Sequence, residues 1–125
     1  MVNILRGVRG ATTVINNDRQ EISVRVIELL NEIVKENGLE KEDIAAAIFS
    51  STPDLNAGFP AVGARMLGWN EVPLFGTQEV ECPDALPRCI RVLILWNTDR
   101  NQNQIKHIYL HHAVALRQDI ADQPV

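Results

Sequence analysis

Arginine carries the chemistry of this sequence. Nine of the twelve basic residues are Arg and three are Lys, a bias toward the side chain whose planar fork grips carboxylate or phosphate at two points. Arg91 interrupts CIRVLILWNT (89–98), an apolar run that reads as a central strand covered on both faces. A charge in such a strand is costly unless it is paired and hydrogen-bonded. Either Glu79, Glu81 or Asp54 completes an internal salt bridge with Arg91, or Arg91 faces a cavity and holds an anion. Arg9 poses the same question. Arg6 and Arg9 are three apart in RGVRGATTV (6–14), so strand alternation sends them to opposite faces. Gly7 and Gly10 leave the backbone bare for close approach, by a ligand or by a packing neighbour. Glu79 follows a short apolar strand, at an element end where site residues collect, although a lone Glu there also reads as a solvated carboxylate. Tyr109 shares a strand face with His107 and His111, and that polar face meets solvent, another subunit or a site.

Other chemistries lack their residues. His107, His111 and His112 do not form a metal set, because His112 points away from the other two on a strand and no acidic or cysteine partner has matching spacing. There is no phosphate loop, dinucleotide glycine fingerprint, serine elbow or paired-carboxylate motif. Cys82 and Cys89 suggest neither a zinc site nor a disulfide framework. A net charge of −4 argues against nucleic acid. No apolar run reaches membrane-span length and no secretory signal opens the chain, so the expectation is a cytoplasmic protein with no membrane partner.

The elements that must hold these residues are legible as an α+β pattern. The length of 125 residues suits a single domain covering 1–125, with about 118–125 a fraying tail. A strand over about 2–14 precedes a helix whose N-terminus Asp18 can cap, with Glu21 three residues on, and which Gly38 ends. Ile22, Val26, Leu29, Leu30 and Ile33 form its apolar stripe. IAAAIFSS (44–51) is a buried strand, and PAVGARMLGW starts a short helix with Pro60 in its first turn. Phe59, Val62, Met66 and Trp69 share one side of that helix, and Ala61 and Arg65 another. VPLFG (72–76) and 89–98 are strands, ECPDALPR is a turn, and 106–116 alternates as a last strand. The order β-α-β-α-β-β-β indicates a mixed sheet with helices packed on one face.

RGVRGATT, SSTPDLNAGFPAVGAR, the QEV segment, PRCIRVLILWNTD and IKHIYLHHAVALRQD together resemble the monofunctional bacterial chorismate mutases of the small trimeric class. The resemblance runs from Arg6 to about Asp119. It implies a pseudo-α/β barrel, a homotrimer whose active sites are shared between subunits, and rearrangement of chorismate to prephenate in aromatic amino acid (Phe/Tyr) biosynthesis. No cofactor is implied. Arg9, Glu79, Arg91 and Tyr109 match the family's principal site residues. Phe59, Ala61, Arg65, Leu116 and Arg117 match pocket-lining or entrance positions, and Phe75, Gly76 and Thr77 match a segment that runs along the ligand. At that wall the chain departs from the family, with Gly76 where a small polar or thiol side chain is common and Phe75 replacing a smaller residue.

The residue types suit that reaction. A dicarboxylate needs arginines, and a unimolecular pericyclic step needs neither acid, base nor metal, only a folded conformer and stabilised charge. On this reading Arg91 donates to the breaking ether oxygen. Glu79 binds the substrate hydroxyl, and Arg9 and Tyr109 hold the enolpyruvyl carboxylate. Arg6 is structural. A non-enzymatic trimeric binding module for an anionic metabolite would keep the same arginines, and so would a trimeric imine or enamine deaminase.

Overall fold

The structure, a computed structural model, describes residues 3–116. Five strands form one mixed sheet: β1 (Ile4–Thr13), β2 (Ile44–Ser51), β3 (Leu74–Gln78), β4 (Cys89–Thr98) and β5 (Ile108–Tyr109), in the spatial order β3-β2-β4-β1-β5. β4 is antiparallel to both its neighbours, whereas β2–β3 and β1–β5 are parallel pairs. Helices α1 (Arg19–Asn37) and α2 (Ala61–Met66) interrupt the strand order as the sequence suggests, giving an α+β fold.

Helix α1 forms where its end signals stand. The Asp18 carboxylate accepts the Glu21 amide, and Gly38 closes the helix in the left-handed conformation, φ 63°, which glycine adopts without steric cost. Glu21 does not reach back to Asp18 as a capping box would; its carboxylate instead accepts the amides of Ile15 and Asn16. The expected stripe of Ile22, Val26, Leu29, Leu30 and Ile33 is fully buried. It packs on the sheet face carrying Val8, Ile90, Val92, Ile94 and Trp96, and each such side chain contributes about 1.5–3 kcal/mol of burial. Glycine decides how closely α1 can settle. A Cβ on Gly10 would lie 2.7 Å from Ile33 Cδ1, and one on Gly63 would lie 2.8 Å from Val26 Cγ1. Gly10 therefore lets α1 pack closely, and its backbone also lines the cavity on the other face.

Three other expectations change. The third strand begins at Leu74 and runs to Gln78, two residues later than its apolar run. Helix α2 buries Gly63 and Ala64, and the side of Phe59, Val62, Met66 and Trp69 is split: Trp69 joins the core while Phe59 and Met66 stay exposed. The last strand does not run over 106–116. β5 has two residues, after which His111 takes a positive φ of 54° and the chain turns through a 3₁₀ segment, His111–Ala113, into a helical turn at 114–116. The Thr13 hydroxyl accepts the His112 amide there, so a side chain of β1 ends the ladder. Alternation along 106–116 thus mistakes a turn for a strand.

Candidate active site

Among the described residues, helices cover only one face of the sheet. Along β4, Ile90, Val92, Ile94 and Trp96 are buried, while Arg91, Leu93 and Asn97 are exposed. The apolar character of both faces does not bury Arg91 within this chain, and the cost expected of a buried charge does not arise. Among the described residues no carboxylate lies within 4 Å of the Arg91 or Arg9 guanidinium; the ion pair present joins His111 to Glu28 at 2.7 Å. Asp54 is occupied elsewhere, accepting the Thr52 hydroxyl and the Arg88 amide. The salt-bridge reading of Arg91 is therefore not realised here.

Register places the site. Thr77 pairs with Ser50, Ser50 with Arg91, Arg91 with Ala11, and Ala11 with Tyr109. Paired residues project to the same side of a sheet, so these five form one row across all five strands on the open face. The next row holds Phe75, Ile48, Leu93 and Arg9. Ala11, with no side chain beyond Cβ, leaves space between Arg91 and Tyr109. The result is a cavity of about 490 Å³ lined by Arg9, Glu79, Arg91, Tyr109, Thr77 and Leu116, with Ser50 and Ile48 in its floor.

Each charged group is positioned by its own local structure. The TPD stretch fixes the start of β4. Thr52 donates its amide to the Cys89 carbonyl, and its hydroxyl oxygen accepts the Cys89 amide, each at 3.0 Å. Arg88, at φ 48°, is braced by Asp54 and by its own Nε donating to the Val14 carbonyl at 3.2 Å. Arg91 follows three residues on. The buried Cys89 thiol lies beside that guanidinium; burial pushes its pKa up and Arg91 pulls it partly back. Glu79 extends β3 by one bond, its amide donating to the Ser51 carbonyl at 2.9 Å, and its carboxylate accepts the Ser50 hydroxyl. Arg6 lies on the opposite face from Arg9, its Nε donating to the Arg100 carbonyl at 3.1 Å, in keeping with a structural role.

The remaining expected residues are divided. Phe59 and Gly76 line a neighbouring cavity of about 960 Å³ that shares Thr77 with the first. Ala61, Arg65 and Phe75 line neither. Arg117 and the expected tail lie outside the described residues. Tyr109 does not share a continued strand face with His107 and His111: the His107 ring meets the Arg9 amide and the His111 ring meets Glu28. Sequence reasoning missed Ser50 as the support of Glu79, and weighed His107 as a metal ligand or as part of a polar strand face, not as the partner of the Arg9 amide. Ser50 left one usable signal, a hydroxyl beside the apolar Ile48 and Phe49 near the end of a short strand.

With two guanidiniums and one carboxylate around an open cavity, the site suits a small dianion that also carries a hydroxyl. Comparison with known proteins points the same way. Residues 5–120 match the family described as chorismate mutase type I. The chain is 46% identical over 118 residues to the chorismate mutase AroH of Thermus thermophilus, covering 94% of this chain and 97% of that one. It is 43% identical over 119 residues to that of Bacillus subtilis (strain 168), covering 94% of each. A solved structure of chorismate mutase from Clostridium thermocellum superposes with a TM-score of 0.86 at 44% identity, covering 87% of this chain and 97% of that one.

Proposed function

The chain belongs to the type I chorismate mutase family, and from that premise we propose how its own residues perform the rearrangement of chorismate to prephenate. It is an isomerase. The observation that carries the residue assignment is the gathering of Arg9, Glu79, Arg91 and Tyr109 around one cavity, with both guanidiniums exposed to it. Arg9 and Tyr109 hold the enolpyruvyl carboxylate in the folded conformer, and restraint of that kind lowers the entropic part of the barrier. Arg91 stands ready for the ether oxygen, where negative charge grows as the C–O bond breaks. A fixed donor of this sort stabilises the transition state more than the ground state. Glu79, held by Ser50, takes the ring hydroxyl and sets the orientation of the ring. No proton changes hands and no covalent intermediate forms.

The assembly belongs to the same proposal. Phe59, 76% exposed, and Phe75, 65% exposed, are large apolar side chains left uncovered, and such surface calls for a partner. Phe59, Ala61, Arg65 and Phe75 also stand apart from the cavity they were expected to complete. A homotrimer with active sites shared between subunits accounts for both facts, because a neighbour's copy of these residues closes the open cavity. No helix is long and apolar enough to cross a membrane among the described residues, in keeping with a cytoplasmic enzyme.

The test is direct. Purified protein mixed with chorismate is followed by loss of the substrate's ultraviolet absorbance, and prephenate is identified by acid conversion to phenylpyruvate. Saturable conversion without added metal or cofactor, lost in Arg91→Ala, supports the reading. Binding of chorismate without conversion overturns it in favour of an anion-binding module.

A further inference from the structure

The free edge of β1 is closed by side chains. β5 pairs with β1 only at Gly10 and Ala11, which leaves the backbone groups before them without a strand partner. Gln102 serves Gly7 at both atoms: the Gly7 amide donates to Gln102 Oε1 at 3.1 Å, and Gln102 Nε2 donates to the Gly7 carbonyl at 2.7 Å. At Arg9 the amide donates to His107 Nδ1 at 2.9 Å. His107 is itself held from behind, because Asn37 at the end of α1 takes both backbone groups of Lys106, at 3.0 and 2.9 Å. The imidazole therefore stands where a longer β5 would have offered a carbonyl. It fixes the backbone of the residue that carries one of the cavity's two guanidiniums.

We propose that His107 is a positioning residue for Arg9: its neutral imidazole holds the Arg9 amide in register, and protonation at Nδ1 releases it and weakens the grip on the substrate carboxylate. The inference rests on the mutase reading for its effect on turnover, but not for the contact itself. A protonated ring offers two N–H donors and no acceptor, so the amide and the charged ring would confront each other. Arg9, from β1, is the charged group that acts on the ring. Asn37 of α1 and Gln102 of the turn preceding β5, which flank this edge, carry no charge. Burial, and after it the Arg9 charge, lower the His107 pKa from its usual 6.5, which keeps the ring neutral through the neutral pH range.

Two variants and one spectrum decide it. His107→Asn places an amide oxygen near the position of Nδ1 and cannot be protonated; His107→Ala removes the acceptor. In the wild type, kcat/KM is expected to fall on the acid side of pH 6.5, mainly through KM. His107→Ala should raise KM roughly 3–10-fold at neutral pH, the scale of one lost hydrogen bond, and His107→Asn should restore it and abolish the acid limb. In ¹⁵N-labelled wild-type protein the Arg9 amide resonance should titrate together with the His107 ring. An acid limb unchanged in His107→Asn, or an Arg9 amide that stays fixed while His107 titrates, would overturn the proposal. The spectrum needs no turnover and no alanine variant, so a failed mutase reading or a misfolded variant cannot be mistaken for this result.

Discussion

Ser50 stands directly opposite Arg91 in the antiparallel ladder between β2 and β4, and its hydroxyl holds the Glu79 carboxylate. A donor cation on β4 and an acceptor anion at the end of β3 are thus mounted on either side of β2 in one sheet. Neither is spent on the other: no ion pair joins them within 4 Å among the described residues. Both remain available to a ligand.

If Ser50 sets the direction of Glu79, then Ser50→Ala should lower kcat/KM roughly 10–100-fold, the scale of one hydrogen bond to a charged group. The unfolding midpoint should barely move. Steady-state kinetics beside a urea titration would check it, and unchanged kinetics would remove Ser50 from the site.

Arg91→Lys keeps the charge but loses the planar fork. A deleted donor to a developing oxyanion costs about 10²–10³-fold in kcat, and the lysine variant should fall most of that way with a smaller change in KM. Near-normal turnover in Arg91→Lys would show that a point charge suffices.

Two glycines should respond oppositely to alanine. At Gly10 the new methyl meets Ile33, Val92 and Leu29 at 2.7, 3.1 and 3.2 Å, so overpacking should cost about 1–3 kcal/mol. At Gly76 the methyl meets nothing within 4 Å, and restricting the unfolded chain should gain about 0.4–1 kcal/mol. Urea unfolding of both variants reads the contrast, and a stable Gly10→Ala protein would mean that α1 can shift away from the sheet.

Thr12 is fully buried, and its hydroxyl has no hydrogen-bond partner among the described residues. An unpaired buried hydroxyl costs about 1–3 kcal/mol, and valine has nearly the same shape. Thr12→Val should therefore raise stability, by about 1 kcal/mol, in the same unfolding assay; a clear loss would reveal a bond to that oxygen.

Stability should decline at both ends of the pH range. The folded pKa of His107 is lowered from 6.5, so on acidification the unfolded chain takes up its proton first. That contribution is whole above pH 6.5 and is lost as pH falls through the folded value. Cys89 is raised from 9.0, burial outweighing Arg91, so its contribution is whole below pH 9.0 and is lost as pH rises through the folded value. Denaturant midpoints across pH measure both limbs, and a His107→Asn protein should lose part of the acid one.

What the sequence disclosed follows the range of the forces involved. Asp18, Gly38 and the Ile22–Ile33 stripe act within a turn or two of chain, and the helix they mark is the one observed. The opposite facing of Arg6 and Arg9 needs only the period of a strand. Pairings between distant segments were not legible. Nothing local in IAAAIFSS joins Ser50 to Glu79, and nothing in IKHIYL joins His107 to the Arg9 amide. His111 defeated the alternation rule because a positive φ leaves no mark on hydropathy. The burial expected of Arg91 failed for a related reason: Leu93 and Leu95 are apolar on a face that this chain alone leaves open.

The closed edge of β1 has a consequence for the behaviour of the protein in a crowded cell. A strand with vacant amides and carbonyls is a template on which a stray extended segment can add itself, the first step of sheet-to-sheet aggregation. Gln102 and His107 occupy those positions on Gly7 and Arg9. The segment leading into the two-residue β5 therefore protects a longer stretch of strand than β5 pairs, and the edge at Arg9 offers a passing chain little to bind.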